Sequence, residues 1–139
     1  MSKKFDEWNE IKKKTDSINR KIGLKPREIY WLKMGENVGY EQSGKGNNFA
    51  RPAIVIKKLN KDLFLGIPTS TTFREESNFF YPFEYQDKDK NIIIKATALI
   101  VQLKVFSIKR VMNKIGMMSK SDFEVLLEKS YNLIDPTKG

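Results

Sequence analysis

The sequence predicts a mainly β fold with helical additions: a small β-barrel with one helix ahead of it and one behind it. Three observations lead there. From Lys25 onward the chain breaks into short β-branched and aromatic runs, bounded by Gly, Pro, Asn and Asp. The stretches at the two ends place apolar residues at helical spacing instead. No repeat and no low-complexity segment interrupts this order.

Residues 4–22 form the first predicted element. Phe5, Trp8, Ile11, Ile18 and Ile22 recur at steps of three, four or their sum, and the opposite face is rich in Lys. Gly23 is a natural helix stop and Pro26 lies just beyond it. The sequence therefore divides into an N-terminal amphipathic helical extension, residues 1–24, and a barrel domain, residues 25–139. The extension suits packing on the body, or serves as an arm for a partner or for RNA.

The predicted strands follow in order. Residues 27–32 are the first. Residues 51–59 and 63–67 form a hairpin around the turn Asn60-Lys61-Asp62, and Pro68 marks a break. Residues 78–85 are an aromatic strand. Its Phe79, Phe80, Tyr81, Phe83 and Tyr85 build core on one face, and an exposed member can stack on a base. Residues 87–91 are a charged turn. Residues 91–94 and 97–106 are rich in β-branched and apolar side chains, and 110–115 either ends the sheet or forms a short helix. Residues 119–134 are the final helix. Ser119 or Ser121 caps it, Asp122 and Glu124 suit its dipole, and Phe123, Leu126, Leu127, Tyr131 and Ile134 form its apolar face.

Composition limits the chemistry. A chain of 139 residues, 40% hydrophobic and 31% charged, has the size and balance of one globular domain. No apolar run approaches the ~20 residues that span a bilayer, and no signal-peptide pattern opens the chain. The cytoplasm is the expected compartment, with no membrane partner. The absence of Cys removes disulfides and thiolate chemistry, and the absence of His removes the usual metal ligand and neutral-pH base. This argues against a catalytic zinc, and no cofactor is expected. The net charge of +9, from 26 Lys and Arg against 17 Asp and Glu, suits an anionic partner; solubility alone also accounts for it.

The densest polar information lies in residues 27–52. A β-run leads into a long polar loop carrying Tyr40, Glu41 and Gln42, then a Gly/Asn stretch, then Arg51-Pro52 at the mouth of an apolar strand. An arginine so placed is either an anion site or a surface ion pair. The hydroxyl cluster Thr69, Ser70, Thr71 and Thr72 follows another strand, where Ser and Thr also favour turns.

In order along the chain, five motifs resemble the MazF/PemK toxins. They are Arg27-Glu28-Ile29-Tyr30-Trp31, Gly39-Tyr40-Glu41-Gln42, Arg51-Pro52 with its apolar strand, Gly66-Ile67-Pro68-Thr69-Ser70-Thr71, and Gln102-Leu103-Lys104-Val105-Phe106 with Lys109-Arg110-Val111. The resemblance runs from about residue 26 to 134 and leaves the first 24 residues outside. It implies a plug-like, SH3-type barrel, usually a homodimer. It implies the toxin of a type II toxin–antitoxin pair, an endoribonuclease that cuts single-stranded RNA at short motifs without ribosome or metal. An acidic antitoxin tail then blocks the RNA groove.

Such cleavage uses the 2′-hydroxyl as an internal nucleophile already beside its phosphate. Arg51 stands at the family's catalytic arginine position and would stabilise phosphorane charge. The family's Thr-Ser pair falls on Ser70 and Thr71, or on Thr69 and Ser70, so Ser70 belongs to both alignments. Tyr40 stands where some relatives carry His and would stack or lend its hydroxyl; with an ordinary pKa of about 10 it is a poor base. Glu41 and Gln42 would order the loop or read a base edge, and Lys45 would touch phosphate. Gln102 and Lys104 would line the groove from an adjacent strand. Val101 stands where some relatives have an acidic residue, which leaves the general base open. The alternative function is a non-catalytic SH3-like module that binds nucleic acid or protein. A gyrase poison on a related fold matches these motifs less well.

Overall fold

The computed structural model describes residues 23–34 and 50–138. The predicted helix at 4–22 and the loop residues Tyr40, Glu41, Gln42 and Lys45 lie outside them. The described chain runs β1 (Glu28–Lys33), β2 (Ala50–Lys58), β3 (Leu63–Ser70), β4 (Phe80–Gln86), β5 (Ile93–Leu99), β6 (Lys104–Ser107), β7 (Val111–Met117) and α1 (Lys120–Ile134). Short 3-10 turns at Ile100–Gln102 and Ile108–Arg110 flank β6.

All the strand pairs are antiparallel, in the order β4-β5-β3-β2-β1-β7, with β6 also on β3. The predicted barrel is found as a seven-stranded antiparallel sheet that does not close. No ladder joins β4 to β7 among the described residues. The two ends nevertheless meet: the Lys88 N–H donates to the Ile115 carbonyl at 2.7 Å.

Period-two alternation fills both faces of the central strands. Ile29, Ile54 and Ile67 pack with Phe83, Ile100, Phe123 and Leu126 on one side. Tyr30, Ala53, Val55 and Phe64 pack with Phe106, Ile108 and Val111 on the other. The predicted hairpin turn at 60–62 is present, with Asn60 Oδ1 accepting from the amides of Asp62 and Leu63.

Several expectations change. Pro68 does not break β3, which continues to Ser70. On that edge β6 pairs with Leu63 to Gly66 and β5 with Thr69 and Ser70. Pro68 falls between these two partners, so neither needs its missing N–H. The predicted strands 91–94 and 97–106 become one strand, β5, then a turn, then β6. The turn forms because Ile100 is fully buried and its N–H donates to the Phe79 carbonyl. Residues 111–117 settle as strand. In α1, Ser119 is the cap, accepting from the Asp122 N–H at 3.1 Å. Phe123 and Leu126 are buried as expected, but Tyr131 and Ile134 are exposed, and Ser130 takes a buried place instead.

Candidate active site

The site forms where β2 begins and β3 ends. The observed register pairs Ala53 with Pro68. Followed further along both strands, it sets Pro52 beside Thr69 and Arg51 beside Ser70. A 3.3 Å hydrogen bond from Thr69 Oγ1 to the Pro52 carbonyl agrees with this alignment. Arg51, Thr69, Ser70 and Thr71 all line one cleft of about 410 Å³. That volume lies within the usual range for small-ligand pockets.

The four side chains differ in availability. Arg51 is exposed and makes no hydrogen bond or ion pair to any described residue. Thr69 is buried and its hydroxyl is committed to Pro52, so it acts as a strut between strands. Ser70 is half-buried and accepts from the Thr72 N–H at 3.1 Å. Thr71 is exposed. Thr97 Oγ1 donates to the Thr72 carbonyl at 3.0 Å and pins the same turn from β5.

Sequence reasoning missed the rest of the lining. Trp31, Tyr85 and Asn113 belong to it, together with Asp87, Asp89 and Lys90 from the turn between β4 and β5. The sequence marks that segment as a charged turn, but no local signal sets it against Arg51. Burial, and then the nearby Asp87 carboxylate, push the Tyr85 phenol up from its ordinary value. Tyr85 therefore stays protonated at neutral pH, a donor and not a base.

Gln102 and Lys104 are not part of this cleft. Gln102 sits in a 3-10 turn and not on a strand. Lys104 opens β6 opposite Gly66, with its ammonium 5.2 Å from the Phe106 ring centroid. A second cleft of about 420 Å³ adjoins the first, sharing Thr71 and Ala96, and is lined by exposed Phe73 and by Glu84 and Lys95.

The family model of PemK-like, MazF-like toxins of type II toxin–antitoxin systems matches residues 25–130. This chain belongs to that family. The match covers β1 through most of α1, so every residue that lines the cleft lies within the PemK-like region. Membership of a type II toxin family implies an antitoxin as partner. No curated protein matches the chain significantly. Among the described residues, no helix is long and apolar enough to cross a membrane.

Proposed function

We propose that this toxin is an endoribonuclease that cleaves single-stranded RNA, including mRNA, at short sequence motifs. The reaction is metal-independent attack by the 2′-hydroxyl. The observation that carries the reading is the convergence of Arg51, Ser70 and Thr71 on one cleft. A guanidinium with no partner among the described residues is suited to a phosphate, because its donor fork matches two phosphate oxygens. The Ser70 and Thr71 hydroxyls add neutral donors to the non-bridging oxygens. Charge that builds on those oxygens in the transition state is then met by donors already in place.

The RNA strand is proposed to pass over Thr71 into the second cleft, where exposed Phe73 offers a stacking face. Tyr40, Glu41, Gln42 and Lys45 remain proposed RNA contacts from the loop ahead of β2. Gln102 and Lys104 remain proposed contacts outside this cleft. The proposed working form is a cytoplasmic homodimer inhibited by an acidic antitoxin.

The test is incubation of the purified chain with a long single-stranded RNA in excess EDTA, beside Arg51→Ala, with fragment ends mapped. The expected result is discrete cuts with 5′-hydroxyl and 2′,3′-cyclic phosphate or 3′-phosphate ends. Loss of one transition-state donor should slow Arg51→Ala by about 10²–10³-fold while it stays folded. RNA that is bound but never cut by folded wild-type chain would establish the binding-module alternative.

A further inference from the structure

We propose that Asp89 is the general base of this site, its carboxylate taking the proton from the 2′-hydroxyl of the RNA. The inference rests on the ribonuclease reading and supplies the group that reading lacks. With no His in the chain, the acceptor must come from another residue type.

The described cleft offers few choices. Its titratable and charged members are Arg51 from β2, Tyr85 at the end of β4, and Asp87, Asp89 and Lys90 from the following turn; the β7 wall contributes only neutral Asn113 and Ile115. Arg51 and Lys90 are cations and donate. Tyr85 holds its proton. Asp87 is 8% exposed, and its Oδ1 already accepts from the amides of Asp89 at 2.8 Å and Lys90 at 2.7 Å. Its carboxylate builds the turn. Asp89 is exposed to the cleft, and its carboxylate makes no hydrogen bond or ion pair to any described residue.

The turn also holds Asp89 in position. The Asp87 N–H donates to the Ile92 carbonyl, the Asn91 N–H to the Asp87 carbonyl, and the Lys88 N–H to the Ile115 carbonyl. The last bond ties the turn to β7. A base on such a turn is preorganised, while its own oxygens remain free for substrate.

The step balances without another reagent. Asp89 takes the 2′-hydroxyl proton as the 2′-oxygen bonds to phosphorus. The bond from phosphorus to the 5′-oxygen breaks, and that oxygen takes a proton from water. Asp89 returns its proton to solvent, leaving a 2′,3′-cyclic phosphate and a 5′-hydroxyl.

The experiment compares wild type, Asp89→Asn and Asp89→Glu on an RNA oligonucleotide containing a mapped cut site, in EDTA and across pH. Binding is measured separately on the same oligonucleotide with 2′-deoxy at the cut. Loss of a general base predicts that Asp89→Asn lowers kcat about 10²-fold or more. Binding should hold or tighten, since a negative charge has left a phosphate site. The fall in rate on the acid side should flatten, and Asp89→Glu should recover part of the rate. The proposal is overturned if Asp89→Asn cuts within about threefold of wild type, far short of a general base's contribution. It is equally overturned if binding and rate fall together, or if the acid limb persists. Wild-type chain that cuts no RNA overturns the ribonuclease reading itself, a result distinct from an active wild type with an equally active variant.

Discussion

Replacing Gly116 with Ala tests how the open sheet brings its ends together. A Cβ there would stand 2.6 Å from Tyr85 Cδ2 and 3.0 Å from both Tyr85 Cε2 and the Gln86 carbonyl oxygen. Ordinary carbon contacts begin near ~3.5 Å, so the ring must retreat by about 1 Å. It has little room, being 6% exposed and stacked on Phe83 with centroids 5.8 Å apart. Overpacking of this kind costs about 1–3 kcal/mol. For a domain of this size that is a fall in Tm of roughly 3–15 °C. Thermal unfolding followed by circular dichroism reads it directly. The same substitution made in a Tyr85→Ala background should cost much less, because the main clash is gone. An unchanged Tm for Gly116→Ala, or an equal loss in both backgrounds, would refute the packing argument. Tyr85 also lines the cleft, so the displaced ring should lower the proposed RNA cleavage as well.

Two further predictions concern stability. Glu28 is buried and accepts from the Lys25 N–H, the Tyr30 hydroxyl at 3.1 Å and Lys114 Nζ at 3.0 Å. Glu28→Ala strands a buried phenol and a half-buried ammonium and should cost about 2–3 kcal/mol in urea unfolding, with Glu28→Gln cheaper because it retains an acceptor. Equal losses for the two variants would count against the network. Burial is the first cause that raises the Tyr30, Tyr81 and Tyr85 phenols, aided respectively by Glu28, by the hydrogen bond to Asp122, and by Asp87. A raised folded value means that their contribution is full below the unfolded value of about 10 and is lost as pH rises past it. Urea midpoints should therefore fall above about pH 10 while tyrosine absorbance titrates late; phenols that ionise at the ordinary value would contradict this.

The strands with clear punctuation are the legible ones. Asn60-Lys61-Asp62 announces its hairpin, and Ser119 with Asp122 announces the start of α1. What stays hidden depends on partners far along the chain. Pro68 reads as a break until β6 and β5 are seen to divide that edge of β3 between them. The run 97–106 reads as one strand because no Gly or Pro marks its turn; buried Ile100 does so through packing. The cleft follows the same rule. Arg51, Thr69, Ser70 and Thr71 are legible through motif resemblance, whereas Asp87, Asp89 and Lys90 reach it only because the sheet curls. Barrel closure fails as an expectation for a related reason, since strand count alone does not fix whether the last pair forms a ladder.

The central strands explain why the chemistry sits where it does. With apolar side chains filling both faces of β1, β2 and β3, a charged group in mid-strand would be buried at a cost of several kcal/mol unless paired. Strand ends are the places left for charge, and the strands of this sheet use them differently. At the start of β1, Glu28 is buried and already accepts from three donors, so its charge is met within the fold. At the start of β2, the Arg51 guanidinium has no partner among the described residues, and in the same cleft neither does the Asp89 carboxylate. Unlike the satisfied Glu28 network, these opposite charges face an open volume without meeting each other. A phosphate with a 2′-hydroxyl beside it supplies what both lack, an anion for the guanidinium and a proton for the carboxylate. That complementarity is why the Arg51→Ala and Asp89→Asn experiments belong together: removing the first should weaken phosphate binding and catalysis, and removing the second should slow catalysis alone.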